Sequence, residues 1–193
     1  METKNILIVG VGGQGTLLTS RILGKVALDA GFDVKLSEVH GMAQRGGSVV
    51  THVRYGEKVN APIIEVGQAD VILSFEKLEA ARYAHYLRDG GAIIVNTQEI
   101  DPMPVVIGAA KYPNDIIEKL VKKNKLITVD ALSQAEKLGN IKVLNTFILG
   151  LLAQHLQFEQ VEWVKAIEET VPQKSVELNI RAFETGYNFG KGE

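Results

Sequence analysis

The residues best suited to chemistry lie in two glycine-rich segments, residues 10–15 and residues 41–47. The first, GVGGQG, follows an apolar run and precedes an amphipathic segment, which predicts a strand, a tight turn and a helix. Backbone N–H groups at the start of a helix have no intrahelical partner and attract anions such as phosphate. The residues expected to face an anion, or a partner's cofactor, are Gly12, Gly13, Gln14, Gly15 and Thr16.

The second segment adds side chains that can contact an anion. Arg45 carries a permanent planar charge that suits a carboxylate or a phosphate. Gly46 and Gly47 supply backbone N–H donors, Ser48 supplies a hydroxyl, and His40 precedes the segment. An arginine that only caps a surface loop explains the same pattern, and the residues alone do not decide between the two interpretations.

The first segment also matches the G-x-G-x-x-G fingerprint of dinucleotide-binding proteins. That fingerprint expects an acidic residue about 20 residues further on, at the end of the second strand, to bind the ribose. Glu38 lies too far from Gly10, and Asp33 lies at the beginning of the predicted strand instead. A turn that binds a phosphate or packs closely is therefore favoured over a tightly bound NAD(P).

The sequence contains no self-sufficient catalytic set. Its four histidines are scattered without the spacing of metal ligands, and it has no cysteine. Nucleophile elbows and Walker loops are also absent from the sequence. We therefore predict no catalytic residue and no metal ligand in this chain.

Short apolar runs alternate with helical patterns, which predicts an α/β fold. We expect a Rossmann-like three-layer domain with a mostly parallel sheet and a helical C-terminal third. The whole chain, residues 1–193, is predicted to be a single domain, with a sheet core over 1–141 and a helical extension over 142–193. The pattern also predicts a helix over 76–88, ended by the Asp-Gly-Gly at 89–91, and a strand over 105–109.

Composition limits the classes of partner. The 193 residues are 46% hydrophobic and carry a net charge of −2, whereas nucleic-acid binding usually leaves a basic excess. The N-terminus shows no signal-peptide pattern, and the most apolar segment, residues 143–156, is too short to span a membrane. We expect a protein that binds neither nucleic acid nor membranes. We also expect it to be cytoplasmic, and the absence of cysteine fits that compartment.

The two glycine segments in this order resemble the gamma-type subunit of 2-oxoacid:ferredoxin oxidoreductases. The likeness is carried by GVGGQG at 10–15 and EVHGMAQRGGS at 38–48, and it continues with ADVIL at 69–73 and NTFILG at 145–150. It therefore extends over most of the chain. Within the family, the length of the chain and the residues of the second segment are most similar to those of the beta subunit of the indolepyruvate type.

The resemblance implies a share in oxidative decarboxylation of aryl pyruvates to acyl-CoA, with electrons passed to ferredoxin. Thiamine diphosphate and iron–sulfur clusters would lie on a larger, cysteine-rich partner, because this chain has no cysteine and no Gly-Asp-Gly signature. The isolated chain would be inactive, and whether it forms a homodimer without its partner stays open. Two alternatives also stay open: a gamma subunit for pyruvate, branched-chain 2-oxoacids or 2-oxoglutarate, and a stand-alone nucleotide-binding module.

Overall fold

The computed structural model describes residues 2–41 and 46–189, and in these ranges it contains six strands and eight α-helices. The strands are β1 (Lys4–Val11), β2 (Asp33–His40), β3 (Ser48–Gly56), β4 (Ala69–Ser74), β5 (Leu87–Asn96) and β6 (Lys125–Val129). The helices are α1 (Thr16–Asp29), α2 (Lys77–Tyr83), α3 (Met103–Val106), α4 (Ile116–Val121), α5 (Ala131–Lys137), α6 (Leu144–Ala153), α7 (Gln160–Thr170) and α8 (Val176–Phe189).

The six strands form one sheet in the order β2-β3-β1-β4-β5-β6. Strands β1, β4, β5 and β6 are parallel neighbours, whereas β3 is antiparallel to both β1 and β2. Because β3 runs in the opposite direction, it begins at the edge of the sheet where β1 and β2 end. The single antiparallel strand therefore brings the two glycine-rich segments to the same edge.

Helices cover both faces of the sheet. Along β1, Ile6 and Ile8 contribute to the core formed with α1 and α5–α8, while Leu7 and Val9 contribute to the core formed with α2 and α4. This alternation follows from the two-residue period of a strand, and the continuous apolar run in β1 is typical of a strand buried on both faces. The predicted α/β, three-layer, mostly parallel fold is confirmed.

The apolar segment late in the chain forms α6, and all ten of its residues are buried in the protein. It packs mainly against α8, and both helices cover the same face of the sheet as α1. Within the described residues, no helix is both long and apolar enough to cross a membrane.

Two local predictions are wrong. Residues 105–109 form no strand: Val106 ends α3, and the following residues are exposed to solvent. A short apolar run does not by itself separate a strand from a helix, and here no neighbouring strand pairs with it. The predicted helix over 76–88 ends at Tyr83, because Leu87 already pairs with Ala69 of β4. The Asp-Gly-Gly at 89–91 therefore lies inside β5.

The core between the sheet and the C-terminal helices contains Trp163, the single tryptophan of the sequence. Its ring is fully buried and stacks on Phe183, with ring centroids 5.9 Å apart, and its edge packs against Phe158. Its Nε1 is the one fully buried side-chain nitrogen or oxygen in the described residues that lacks a hydrogen-bond partner. The contacts of this indole are therefore entirely apolar and aromatic.

Candidate functional site

The first glycine segment forms the turn that joins β1 to α1. Gly15 occupies the N-cap position of α1 with φ of 87°, a left-handed conformation that favours glycine. A Cβ atom at Gly15 would lie 2.6 Å from Nδ2 of Asn145 at the start of α6. Glycine is thus required here for its backbone conformation and for the close approach of α6. In the described residues, no side chain caps the first turn of α1.

The side chain of Gln14 folds back onto the ends of three strands. Its Oε1 accepts a hydrogen bond from the Val11 N–H at 2.8 Å. Its Nε2 donates to the Phe75 carbonyl at 2.9 Å and to Oε1 of Gln98 at 3.0 Å. These bonds connect the end of β1 with the residues that follow β4 and β5, so they fix the position of the turn.

The structure brings the two glycine segments together by backbone hydrogen bonds. Gly12 N–H donates to the Gly47 carbonyl at 2.8 Å, and Gly46 N–H donates to the Gly12 carbonyl at 3.2 Å. These bonds continue the antiparallel ladder between β1 and β3 beyond the pair Val11 and Ser48. Arg45 belongs to the second glycine segment and was predicted to contact an anion. It lies outside the described residues.

Beside this junction lies a cavity of about 400 Å³, which we name the first cavity. Its described lining residues are Gly12, Gly13, Gly15, Thr16, Leu17, Glu38, His40 and Val49. Two of its described lining residues have titratable side chains, the acidic Glu38 and the basic His40. Glu38 is a carboxylate that also accepts a hydrogen bond from the Thr51 hydroxyl, and His40 Nδ1 lies 2.9 Å from the Gly41 carbonyl.

Ser48 does not line the first cavity. Its hydroxyl donates to the buried carboxyl of Glu79 on α2, on the opposite face of the sheet. Burial raises the pKa of the Glu79 carboxyl, and the Ser48 hydrogen bond and the neighbouring charge of Arg82 act against that rise. The arrangement gives the hydroxyl a structural partner within the chain.

A second cavity of about 410 Å³ lies on the other side of the first glycine segment. We name it the second cavity, and its described lining residues are Gly13, Gln14, Gly15, Gln98, Leu132, Ile141, Lys142, Leu144 and Asn145. It opens at the carboxyl ends of the parallel strands, which is where ligands bind in open α/β sheets.

Of the described polar residues that line the second cavity, sequence reasoning identified Gln14 and missed the other three. Gln98 and Lys142 stand in no recognisable motif and lie far along the chain from Gly15. Asn145 belongs to the NTFILG segment that contributed to the family resemblance. A polar Asn-Thr pair at the start of an otherwise apolar helix was the available signal, because such a pair is buried only if it has partners.

Comparison with known proteins places the chain among oxidoreductase subunits. It is 44% identical to the indolepyruvate oxidoreductase subunit IorB of Thermococcus kodakarensis over 99% of this chain and 98% of that protein. In the same organism, the pyruvate/ketoisovalerate oxidoreductases common subunit gamma is 31% identical over 93% of this chain and 92% of its own length.

The solved structures support the fold. The gamma subunit of a keto/oxoacid ferredoxin oxidoreductase from Geobacter sulfurreducens superposes with a TM-score of 0.75 at 24% identity, over 98% of this chain and 99% of that subunit. The family model described as pyruvate ferredoxin/flavodoxin oxidoreductase matches residues 5–189. These findings confirm the resemblance seen in the sequence, and the chain belongs to the pyruvate ferredoxin/flavodoxin oxidoreductase family.

Proposed function

We propose that the chain is the smaller subunit of an indolepyruvate:ferredoxin oxidoreductase. Such a complex decarboxylates aryl pyruvates oxidatively and yields acyl-CoA, CO2 and reduced ferredoxin. The observation that carries the proposal is the comparison within one organism: the indolepyruvate subunit is 44% identical and the pyruvate/ketoisovalerate subunit 31%. Both similarities extend over nearly the full length, so the difference favours the indolepyruvate substrate.

The redox chemistry is assigned to a larger partner subunit. The sequence has no cysteine, so this chain has no thiolate ligand for an iron–sulfur cluster. In the described residues, no three histidine or carboxylate side chains converge where they could bind a metal ion. These residues fit neither a metal site nor a cluster, and we place thiamine diphosphate and the iron–sulfur clusters on a cysteine-rich, thiamine-binding partner that also serves ferredoxin.

The contribution of this chain is a surface that completes the partner's cleft. The two glycine segments are joined by the Gly12–Gly47 and Gly46–Gly12 hydrogen bonds and present backbone with few side chains. The first turn of α1, which starts at Thr16, has N–H groups without intrahelical partners and attracts negative charge. We propose that this surface, with His40 and Arg45, lies near the anionic parts of CoA or of the thiamine cofactor.

The proposal treats residues 1–193 as one domain with a sheet core over 1–141 and a helical extension over 142–193. The helices of the extension share one core with the sheet and α1, which supports a single domain. We place the complex in the cytoplasm, in keeping with a chain that has no cysteine. Self-association of the isolated chain is measured in the experiment below.

The test is anaerobic purification of the tagged chain from its native cells, followed by an assay of ferredoxin reduction. We expect a larger iron–sulfur, thiamine-dependent subunit to co-purify, and the complex to reduce ferredoxin with indolepyruvate and CoA. The chain alone, sized by gel filtration as monomer or homodimer, should give no activity. Faster reduction with pyruvate, a branched-chain 2-oxoacid or 2-oxoglutarate would reassign the substrate.

A paired substitution tests the proposed surface. Arg45→Ala should weaken assembly or raise the CoA concentration needed for half-maximal rate, since it removes a cation from the second glycine segment. Arg21→Ala, which changes an exposed arginine on α1, is the matched control. If Arg45→Ala behaves like the control in both measurements, the proposed role of the surface is wrong. Recovery of the chain alone with a bound nucleotide would instead favour a stand-alone binding module.

A further inference from the structure

We propose that the second cavity binds the phosphoryl group of a small organic phosphate, with Asn145, Gln98 and Lys142 as its side-chain ligands. These three residues lie outside the glycine-segment surface described under the proposed function. The site deepens that function by adding a ligand to the same subunit, and it rests only on the chemistry of the cavity.

Asn145 provides a hydrogen-bond donor that is left without a partner. The residue is only 6% exposed, and its Oδ1 accepts the Thr146 N–H at 2.9 Å. Because an N–H must point at the carbonyl oxygen of the amide, this bond fixes Nδ2 on the other side. In the described part of the chain, no atom accepts a hydrogen bond from Asn145 Nδ2, and the residue lines the second cavity. Nδ2 itself is not fully enclosed by protein, so it is open to the cavity and free to donate a hydrogen bond to a ligand there.

The orientation of Asn145 is further fixed from α8. The Thr146 hydroxyl donates to Oδ1 of Asn179, and Asn179 Nδ2 donates to the Ser175 carbonyl at 2.8 Å. Both Thr146 and Asn179 are buried. The same Thr146 hydroxyl lies 3.4 Å from Oδ1 of Asn145, so Thr146, which holds that amide oxygen, is itself held from α8 before any ligand arrives, and this lowers the entropic cost of binding.

Gln98, a second amide in the cavity lining, repeats the same arrangement. Its Oε1 accepts from Gln14 Nε2 at 3.0 Å and from Asn96 Nδ2 at 3.4 Å. Both bonds use the oxygen, so the Gln98 amide nitrogen is the end left for the cavity. No described atom accepts a hydrogen bond from it. Two amides of the cavity lining thus have nitrogen donors available while their oxygens are engaged within the protein.

The charged residue among the described lining of the second cavity is a lysine. Lys142 is exposed at its mouth and forms no ion pair with any residue of the described ranges. Two helices, α1 and α6, begin at the cavity wall, at Gly15 and Leu144, and their N-terminal N–H groups add positive potential. None of the described lining residues is a carboxylate. Donors without an acceptor favour an anion, and several converging donors suit the oxygens of a phosphate.

The cavity also has room for an organic group. Its volume of about 410 Å³ exceeds what one phosphate occupies and falls in the range of small-molecule sites. Leu132, Ile141 and Leu144 supply an apolar wall beside the donors. This combination favours a phosphate ester that carries an apolar moiety over inorganic phosphate alone.

The test is a titration of the full-length, ¹⁵N-labelled chain with phenyl phosphate and, separately, with inorganic phosphate, followed by NMR. We expect the side-chain NH2 signals of Asn145 and Gln98 to shift on saturation, with phenyl phosphate binding severalfold tighter because it also buries apolar surface. Asn145→Asp keeps the acceptor for the Thr146 N–H but replaces the donor with a negative oxygen. This variant should weaken phenyl phosphate binding by about tenfold or more.

Lys142→Gln is the second variant, because its exposed position makes it harmless to folding, and it should weaken phenyl phosphate binding by about three- to tenfold. Lys137→Gln, a change of another lysine outside the cavity lining, is the matched control and should leave affinity unchanged. The proposal is overturned if phenyl phosphate shifts neither amide signal at millimolar concentration. It is equally overturned if the two cavity variants, checked for folding by circular dichroism, bind as tightly as the control. These readouts use the isolated chain, so they are independent of whether the partner and the ferredoxin assay succeed.

Discussion

The first and second cavities share Gly13 and Gly15 but differ in the polar groups on their outer walls. The first cavity faces Glu38 and His40, so it contains an anionic acceptor beside the helix N-terminus. The second faces Gln98, Lys142 and Asn145, which contribute donors and a cation. Both lie at the N-terminus of α1, because both are lined by its N-cap residue Gly15. The side chains supplied by other parts of the fold decide which of the two cavities suits a phosphate.

The largest effect on the two cavities is expected from a substitution of Gly15, which lines both of them. Gly15→Ala should lower the free energy of unfolding by about 3 kcal/mol, because the left-handed backbone and the contact with Asn145 both resist a Cβ. It should also displace the Asn145 amide and abolish phenyl phosphate binding. Chemical denaturation and the NMR titration measure the two effects.

Gly13→Ala is the matched control for that change. Gly13 also has positive φ, 106°, but no atom of the described residues lies within 4 Å of its Cβ position. It should therefore lose only the backbone contribution, about 1 kcal/mol. Equal losses at the two glycines would show that the contact between Gly15 and Asn145 contributes nothing.

Ser48→Ala separates the first cavity from the opposite face of the sheet. Since the hydroxyl donates to Glu79 and does not line the cavity, we expect unchanged anion binding and a loss of about 1–2 kcal/mol at pH 7. Removing this bond raises the pKa of the Glu79 carboxyl further. The loss should therefore be complete above that pKa and shrink as the pH falls through it.

Denaturation of Ser48→Ala at several pH values tests this sign. Ser37→Ala on β2 is the control, because the Ser37 hydroxyl has no hydrogen-bond partner among the described residues. A change in phenyl phosphate affinity in Ser48→Ala alone would mean that the hydroxyl acts on the ligand, contrary to its position in the structure.

The pH dependence of stability also contains a contribution from His52 on β3. Burial lowers the pKa of His52, with a smaller contribution from the charge of Arg54, and His52 Nδ1 accepts the Ile64 N–H. Because the folded pKa lies below the unfolded value, the stabilisation is complete above about pH 6.5 and is lost as the pH falls below it.

His52→Asn offers an oxygen in place of Nδ1 for the Ile64 N–H and should flatten this part of the pH dependence. Denaturant midpoints at pH 8, 7, 6 and 5 make the comparison. An identical pH dependence in the variant and the natural chain would assign the acid sensitivity to other groups.

The smallest effect is expected for Glu38→Gln in the first cavity. The amide still accepts the Thr51 hydrogen bond, so stability should change by less than about 0.5 kcal/mol. Phenyl phosphate affinity should also stay the same, because the second cavity is unaltered. If removal of this carboxylate strengthens binding severalfold in isothermal titration, the first cavity is the main anion site and the assignment of the two cavities is reversed.

The sequence predicts most strongly what is local or periodic. The strand, turn and helix around residues 10–15 follow from an apolar run, glycines and an amphipathic pattern within a short window. The prediction of a strand over 105–109 was wrong because an apolar run gives no information about whether a neighbouring strand exists. The direction of β3, which unites the two glycine segments, is likewise a property of the whole sheet.

The candidate site divides in the same way. Motifs predicted Gly12, Gly13, Gly15, Thr16 and His40, and the structure places these five in the lining of the first cavity. Gly46 and Gly47, predicted from the second motif, contact Gly12 but are not among the described lining residues. Gln98 and Asn145 reach Gln14 and Gly15 only through long-range folding, so no spacing rule connects them. The functional interpretation of Gln14 also needed the structure, which shows its amide engaged with β1 and with residues that follow β4 and β5.

The solitary tryptophan gives the molecule an intrinsic optical reporter. Trp163 is fully buried against Phe158 and Phe183, and its Nε1 has no hydrogen-bond partner among the described residues, so its fluorescence should emit at short wavelength in the folded chain. Unfolding exposes the indole to water and moves the emission to longer wavelength. Because no second indole contributes, the whole signal comes from one point in the layer formed by α7 and α8. Loosening of that layer can therefore be followed without any label.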